Sequence, residues 1–289
     1  MARVFIAGAG YVGTLAAEYL ARVEHEVDIG RRSPSASPRS HAMDVLRPGT
    51  FPKELREADC VVYCVSADEF TPEAYRRAYV DGLARVIGAA ATGAARRLIF
   101  VSSTGVFGQD DGSVVDETSP AEPRGFSGRT ILEGEALLAA APLETTTIRF
   151  SGIYGPGRDR LIRMVRSRTP VSAKARLAVT NRIHRDDCAR ALVHLVEQPV
   201  LARLYLGSDE APTPMGEILD WIATRLGLDP PPVGGETGEA PQRGGNKRIS
   251  SARLRGEGFV FVHPTYREGF AAILEAEGRG QGGDADPLS

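Results

Sequence analysis

Residues 4–13 of the chain read Val4-Phe5-Ile6-Ala7-Gly8-Ala9-Gly10-Tyr11-Val12-Gly13. An apolar run of strand type leads directly into the pattern Gly-x-Gly-x-x-Gly, and a helical pattern follows. Gly8 permits a tight turn, Gly10 lets the backbone approach a pyrophosphate, and Gly13 permits close packing of helix against strand. A helix that begins here directs its free N–H groups at an anion. The stretch therefore predicts a dinucleotide-binding turn, with Tyr11 and Val12 also beside the cofactor.

Short β-rich runs alternate with helical runs through the first half of the chain. Strands are predicted at residues 4–7, 26–30, 60–65, 98–102 and 145–150. Helices are predicted at residues 11–22, 72–91 and 128–141. Thr71 is the expected N-cap of the second helix, and Pro72 suits its first position. This alternation predicts an α/β fold of Rossmann type, in which helices cover both faces of a doubly wound parallel sheet.

Turns rich in glycine and proline interrupt this alternation after residue 150. Helices are predicted at residues 161–168, 186–197 and 215–226, and a strand at residues 204–206. We expect residues 1–150 to form the cofactor-binding core and residues 151–277 to form a small C-terminal substrate-binding subdomain, with some elements returning to the core. Residues 229–245 predict a mobile loop, and residues 278–289 a flexible tail.

The bulk composition is that of an ordinary globular protein, with 289 residues, 42% of them hydrophobic and 25% charged, and a formal net charge of −2. The near-neutral charge and the scattered aromatic residues argue against a nucleic-acid partner. No apolar run reaches membrane-spanning length, and no basic leader opens the chain, so we expect a cytoplasmic location and no membrane partner.

The chain contains three cysteines, Cys60, Cys64 and Cys188, which cannot all pair with one another. Cys60 and Cys64 lie four residues apart in an apolar run, where both would face the same side of a strand. No Cys-x-x-Cys motif or His/Cys cluster accompanies them. We therefore expect buried, reduced thiols and no metal site.

The cofactor type is decided at the end of the second strand, where an acidic side chain would bind an adenosine ribose and repel a 2′-phosphate. Here the chain supplies Arg31 and Arg32, two guanidiniums that match a 2′-phosphate in charge and geometry. Asp28 is the alternative acidic residue, although it lies inside the strand. Asp44 is a candidate partner of the adenine amino group or an ordinary turn carboxylate. We predict NADP(H) over NAD(H), with cofactor contacts also from Val65, the last residue of the third strand, and from Ser66 and Ala67 directly after it.

Three later motifs carry a family resemblance. Residues 101–108 read VSSTGVFG, residues 149–158 read RFSGIYGPGR, and residues 183–187 read IHRDD. With the glycine turn, these motifs make residues 1–275 resemble the extended short-chain dehydrogenase/reductase superfamily, in its NAD-dependent epimerase/dehydratase group. The resemblance implies that Ser103 hydrogen-bonds the substrate oxygen and that the adjacent Thr104 lies at the substrate. The alternative for Ser103 is a cap of the strand end.

The chain departs from that family at its Tyr-x-x-x-Lys pair. The family pattern falls on residues 127–135, which places Ser127 at the position of the tyrosine and Ile131 at the position of the lysine. A serine hydroxyl is much less acidic than a phenol, and Ile131 supplies no positive charge. Either another residue handles the proton, or Ser127 only binds substrate.

Candidate substitutes for the missing pair lie beyond the strand predicted at residues 145–150. Tyr154 has a phenol but could instead pack against Pro156, and His184 titrates near neutral pH but could be structural. Arg129 and Arg158 could bind an anionic substrate or could be surface charges. Asp187 is expected to cap or anchor the following helix.

Two functions remain open at this point. The first is an atypical NADP(H)-binding oxidoreductase or epimerase of the short-chain type, acting on a small polar substrate of phosphorylated or sugar-like character. The second is a catalytically silent NADP(H)-binding redox sensor or scaffold that acts through a protein partner. The resemblance also implies a homodimer through the helices at residues 72–91 and 128–141, although their apolar positions could equally face the core.

Overall fold

The computed structural model of the chain describes residues 1–33, 35, 39–234 and 245–281. Its strands in chain order are β1 (Arg3–Ala7), β2 (Glu26–Arg31), β3 (Ser40–Ala42), β4 (Cys60–Tyr63), β5 (Arg97–Ser103), β6 (Val114–Val115), β7 (Glu144–Phe150), β8 (Gly152–Tyr154), β9 (Val171–Ser172), β10 (Val179–Thr180), β11 (Arg182–His184), β12 (Leu204–Gly207), β13 (Thr213–Pro214), β14 (Val233–Gly234) and β15 (Arg248–Ile249).

The helices in chain order are α1 (Gly13–Arg22), α2 (Lys53–Glu57), α3 (Pro72–Arg76), α4 (Gly82–Ala91), α5 (Phe126–Ala139), α6 (Arg160–Arg166), α7 (Ala173–Leu177), α8 (Arg185–Glu197), α9 (Met215–Leu226), α10 (Ala252–Gly256) and α11 (Tyr266–Gln281). A π-helical turn, Arg77–Asp81, joins α3 to α4. Among the helices of the described residues, none is long and apolar enough to cross a bilayer.

Within the described residues, seven parallel strands form the central sheet in the order β12-β7-β5-β4-β1-β2-β3. The chain winds outward from β1 to β3 and then returns to β4 on the other side of β1. This reversal opens a crevice at the carboxyl ends of β1 and β4, which is where open α/β sheets bind their ligands. The predicted doubly wound fold of Rossmann type is confirmed.

Alternate residues of β1 pack on opposite faces of the sheet, as the two-residue period of a strand requires. Val4 and Ile6 belong to the apolar core that α1 and α8 cover. Phe5 and Ala7 belong to the core on the other face, together with Leu83 of α4. Both sides of the strand are buried, so its sequence is apolar throughout instead of alternating.

The predicted helix over residues 72–91 is present as α3, the π-helical turn and α4, and Thr71 caps it by accepting a hydrogen bond from the Ala74 N–H at 3.2 Å. The first helix begins two residues later than predicted, at Gly13, because residues 11–12 still belong to the turn. The strand predicted to end at residue 65 ends at Tyr63, so Cys64 lies just beyond it.

The residues after β7 divide between the sheet and a separate small core. β12 returns to the edge of the sheet beside β7. Helices α6, α9 and α11 pack around an apolar core that includes Ile162, Ile222 and Phe270. Of the predicted loop at residues 229–245, Val233–Gly234 form a strand with β9, and residues 235–244 lie outside the described residues. Helix α11 extends to Gln281, so the predicted tail begins within it, and residues 282–289 lie outside the described residues.

The cysteines are free thiols in apolar surroundings, as predicted. Cys60 and Cys188 are buried and Cys64 is half-buried, and all three contact the core beneath α1 and α8. Burial raises the pKa of the Cys60 thiol to about 12, so this side chain is inert as a nucleophile near neutral pH.

Candidate active site

The glycine turn between β1 and α1 has the backbone that the sequence predicts. Gly8 has φ of +92°, and a Cβ there would lie 2.6 Å from the Val65 backbone N. A Cβ on Gly13 would lie 2.7 Å from the Gly8 carbonyl oxygen, whereas one on Gly10 would meet no atom within 4 Å. The first two glycines therefore allow the turn to close, and Gly10 faces open space where a ligand can approach.

No side chain at the start of α1 offsets the positive end of the helix dipole. The helix has no side-chain cap and no acidic residue in its first turn. Its first N–H groups and its dipole favour an anion in the crevice. The turn therefore fits the pyrophosphate of a dinucleotide.

The crevice continues on one side of the turn into a cavity of about 600 Å³ at the carboxyl end of β2. Its wall includes eight of the predicted cofactor contacts, namely Gly8, Gly10, Arg31, Arg32, Asp44, Val65, Ser66 and Ala67. Asp68, Arg47 and Arg77 complete the charged part of the wall. This end of the crevice carries more positive than negative side chains.

The carboxylates near this end already have partners. Asp68 forms a two-pronged ion pair with Arg32, with contacts of 2.7 and 2.6 Å. Asp44 accepts a hydrogen bond from the Leu46 N–H at 2.9 Å, so its side chain shapes the turn. Arg31 lines the cavity and forms no ion pair with any described residue.

Asp28, the alternative acidic residue, is turned away from the cofactor crevice. Its carboxylate contacts Arg39 at 3.1 Å and His41 at 2.8 Å, and it is absent from the described residues that line the cavity. β3, which the sequence did not predict, brings this histidine alongside β2. Asp28 therefore stabilises the edge of the sheet through its contacts with Arg39 and His41.

On the other side of the glycine turn, the crevice opens into a second cavity of about 850 Å³. The two cavities share Gly10, Cys64, Val65 and Ser66, so they form one continuous cleft. Tyr11, Val12, Ser103 and Thr104 all line this second part. Ser103 ends β5, and its hydroxyl also accepts a hydrogen bond from the Gly105 N–H at 3.1 Å. Ser103 thus lines the cleft and caps the turn after β5 at the same time.

Comparison with known proteins agrees with this architecture. The model of the NAD dependent epimerase/dehydratase family matches residues 4–204. The chain belongs to the NAD-dependent epimerase/dehydratase family. A solved structure of a candidate NAD-dependent epimerase/dehydratase from Methylobacillus flagellatus is similar, with 37% identity and a TM-score of 0.79 over 96% of this chain and 98% of that one.

Two further similar proteins support different conclusions. The 3-diazoavenalumate denitrifying reductase of a Streptomyces species is 31% identical over 55% of this chain, and the match spans 57% of the reductase. WbmG of Bordetella bronchiseptica, solved in complex with NAD, covers 96% of this chain and 94% of its own, with a TM-score of 0.79. Its identity of 16% supports the shared fold alone.

In this epimerase/dehydratase family member, the two positions predicted for the Tyr-Lys pair, Ser127 and Ile131, lie outside the described lining of the cleft. Ser127 lies in the first turn of α5, and it is not among the described residues that line either cavity. Ile131 is buried in an apolar cluster with Val106, Phe107 and Ile249. Ile131 thus contributes to apolar packing at the position predicted for the lysine.

Tyr154 and His184 lie behind the cleft wall. The Tyr154 ring packs 4.7 Å from Phe270, and burial raises the pKa of its phenol. Its hydroxyl lies against Gly269 without a hydrogen-bond partner among the described residues. His184 caps α8 by accepting a hydrogen bond from the Asp186 N–H at 3.3 Å. The structure thus packs Tyr154 against α11 instead of Pro156.

The imidazole of His184 stacks on His263, with ring centroids 3.9 Å apart. Burial, and then the neighbouring His263, lower the pKa of His184 to about 4. Folding brings donor atoms of His184, Asp186 and His263 within 4.8 Å of one another, although the sequence spacing predicted no metal site. Asp187 accepts hydrogen bonds from the Val262 and His263 N–H groups at 2.7 and 3.0 Å, so it anchors the C-terminal segment rather than capping α8.

The two predicted substrate arginines have different surroundings. Arg129 is exposed and donates to the Arg124 carbonyl at 3.1 Å, away from the cavity. Arg158 lines the cleft, with its guanidinium 4.3 Å from the centre of the Tyr11 ring. The Tyr11 hydroxyl in turn donates to the Pro156 carbonyl at 2.9 Å. Arg158 is therefore held beside the glycine turn, where it faces the predicted pyrophosphate as well as the substrate space.

Sequence reasoning missed several polar residues of this second cavity, among them Arg160, Asn181 and Lys247. Asn181 and Lys247 come from segments without a recognised motif. Lys247 is only 2% exposed. A lone lysine beside glycines and an asparagine has no local pattern that distinguishes it from a loop residue.

Proposed function

We propose that this protein is an NADP(H)-dependent oxidoreductase of the short-chain type that reduces a small polar carbonyl compound bearing an anionic group. The observation that carries the proposal is the position of Arg31. Arg31 is the last residue of β2. Its side chain lines the adenosine side of the cleft and forms no ion pair with any described residue. The neighbouring acids Asp44 and Asp68 are engaged by other groups. A 2′-phosphate would therefore meet a cation instead of a carboxylate.

We assign the dinucleotide to the glycine turn and the first N–H groups of α1, with Arg158 on the opposite wall. When bound there, NADPH supplies a hydride to the substrate carbon. Ser103 and Thr104 are assigned to the substrate oxygen, because both line the cavity beyond the glycine turn. Arg160, which lines the same cavity, orients an anionic group of the substrate. No carboxylate lines this cavity among the described residues, which favours an anionic substrate.

Neither Ser127 nor Ile131 supplies the acid–base pair of the family. This departure favours the alternative function, a silent NADP(H)-binding sensor. A relative that is 31% identical over 55% of this chain is named 3-diazoavenalumate denitrifying reductase, and this name favours net reduction. Turnover separates the reductase from the sensor.

The cofactor assignment is tested by titrating the purified protein with NADPH and with NADH. Loss of a charge-assisted hydrogen bond costs about 1.5–3 kcal/mol. Arg31→Ala is therefore expected to weaken NADPH binding by about 10- to 100-fold and NADH binding by less than about twofold. The matched control is Arg22→Ala, which removes an exposed guanidinium at the far end of α1. Equal affinities for the two cofactors in the parent protein contradict the NADP(H) assignment.

Turnover is tested by following NADPH consumption with a panel of anionic and neutral carbonyl compounds. Consumption that Ser103→Ala abolishes supports the reductase and contradicts the silent sensor.

We also propose a cytoplasmic location and a homodimer through the α3–α4 segment and α5. The dimer is checked by the mass of the protein in solution.

A further inference from the structure

Lys247 is unusual among the basic residues of this chain. The chain contains three lysines, and all its other basic side chains except histidine are arginines. Lys53 and Lys174 are exposed, whereas Lys247 is 2% exposed and lines the cleft. Burying an ammonium group costs free energy that a solvated lysine avoids. Unlike arginine, lysine can release its proton near neutral pH when it is buried.

The fold fixes Lys247 against the turn that carries Ser103. Its Nζ donates a hydrogen bond to the Phe107 carbonyl at 2.9 Å, directly after the 3-10 turn Thr104–Val106. The Asn181 side chain holds the backbone on both sides, donating to the Lys247 carbonyl at 2.9 Å and accepting from the Ile249 N–H at 2.8 Å. The ammonium group is thus positioned by segments far apart in the chain.

Lys247 also lies close to the position that the family's lysine has lost. Ile131, at that position, packs in one apolar cluster with Val106, Phe107 and Ile249. Ile249 belongs to β15, which pairs with β6 and begins directly after Lys247. β15 therefore contributes Ile249 to the apolar cluster that contains Ile131. Lys247, directly before β15, places its ammonium group at the edge of the same cluster, on the Phe107 carbonyl.

The electrostatic surroundings suit proton transfer. Burial lowers the pKa of the Lys247 ammonium to about 8, although the carboxylate of Asp110 opposes this shift. An acid with a pKa near the working pH is both mostly protonated and ready to release its proton. Arg158 and Arg160 line the same cavity and keep an anionic substrate in place while the proton moves.

We propose that Lys247 is the proton donor of the reduction, acting on the substrate oxygen that Ser103 also binds. This inference rests on the proposed reductase function. The substrate carbon gains a hydride as NADPH becomes NADP⁺, the carbon–oxygen π bond breaks, and the oxygen takes the proton from Nζ. A carbonyl becomes an alcohol, and solvent returns a proton to the neutral amine. The substrate class is a carbonyl compound that carries a carboxylate or phosphate.

Activity is measured with two aldehydes of the same shape, 4-carboxybenzaldehyde and the uncharged 4-nitrobenzaldehyde. General acids contribute about 100- to 10,000-fold to rate, so Lys247→Met is expected to lower kcat at least about 100-fold on both aldehydes while NADPH affinity stays within about twofold. Lys247→Arg keeps the charge but cannot release a proton, so its kcat should be equally low. The matched control, Lys174→Met, retains parental activity. Rescue of kcat by arginine, or a Lys247→Met kcat within twofold of the parent, overturns the proposal.

A second readout does not depend on turnover. Lysine labelled with ¹³C at Cε gives few resonances in this chain, and the Lys247→Met spectrum identifies the one from Lys247. With NADPH bound, terephthalate, a dead-end anion, should shift this resonance and raise its titration midpoint, because an adjacent anion favours the ammonium form. The resonances of Lys53 and Lys174 should not move.

The two proposals fail in different ways. A parent protein that binds NADPH but reduces neither aldehyde overturns the reductase function and, with it, the proton-transfer step. A Lys247 resonance that does not respond to NADPH with terephthalate overturns the placement of Lys247 at the substrate, even in a protein that turns over. A response in the spectrum together with loss of kcat in both Lys247 variants supports both proposals.

Discussion

Replacing Glu135 by alanine is expected to destabilise the protein strongly, because this carboxylate compensates a buried guanidinium beneath the active-site turn. Arg149 of β7 contacts Glu135 of α5 through two hydrogen bonds of 2.9 and 2.6 Å. The Ser102 hydroxyl donates to the same carboxylate at 2.6 Å. The side chains of Arg149 and Glu135 are only 7% and 12% exposed. Alanine leaves the charge of Arg149 in an apolar environment, over the ring of Phe107.

The same helix supplies a control of the same chemistry. Glu133 pairs with Arg76 at 3.0 Å, but these side chains are 47% and 56% exposed. Breaking a buried ion pair by removing one partner costs about 3–5 kcal/mol, whereas an exposed pair contributes about 0–1 kcal/mol. Glu135→Ala should therefore lower the free energy of unfolding by about 3–5 kcal/mol, and Glu133→Ala by less than about 1 kcal/mol.

Urea unfolding of the two variants and the parent measures this difference through the transition midpoints. Replacing both partners, in Glu135→Leu with Arg149→Met, should recover most of the stability lost in Glu135→Ala, because no uncompensated charge remains. If Glu135→Ala destabilises the protein no more than Glu133→Ala does, the burial argument is wrong.

Three further predictions concern the cofactor turn and the residues behind the cleft. Gly8→Ala should abolish binding of both NADPH and NADH in a titration, because φ of +92° and a Cβ at 2.6 Å from the Val65 N both oppose a side chain; retained affinity would contradict the geometry of the turn. Tyr154→Phe should leave kcat within about twofold of the parent and stability equal or slightly higher, because the buried hydroxyl has no hydrogen-bond partner among the described residues; a large loss of turnover would return Tyr154 to the mechanism. The pKa of His184, lowered to about 4 from 6.5, means that the unfolded chain binds the proton more tightly, so stability is complete above pH 6.5 and falls below it, by about 2 kcal/mol at pH 5. His184→Asn should flatten this dependence in urea midpoints measured from pH 7.5 to pH 5, and an unchanged slope would contradict the assignment.

Much of the nucleotide-binding half was predictable from residue patterns. Gly8 and Gly13 are required by local backbone geometry, and β1 is buried on both faces, so both features leave a direct record in residue type. The family pattern likewise located Ser103 at the end of β5. Helix α11 was not predicted, although Tyr266, Phe270 and Ile273 have the spacing of a buried helical stripe.

The predictions for the substrate side were less accurate, because the type of a residue does not reveal which way its side chain points. Tyr154 and His184 are the last residues of β8 and β11, and their side chains pack toward α11 and His263. Arg129 turns to the Arg124 carbonyl. Neighbouring positions at a strand end point to opposite sides, and only the packing of the adjoining helices selects which one reaches the ligand.

The sequence by itself determined the Rossmann-type sheet, the glycine turn and the cation at the end of β2, because each depends on residues close together in the chain. The tertiary structure alone decided that Asp28 is occupied by Arg39 and His41, and that Lys247 reaches the Phe107 carbonyl from 140 residues away. Periodicity and turn chemistry report local conformation and burial. Which distant segment supplies a charge to the cleft depends on how the C-terminal strand packs against the core, and no local pattern records that contact.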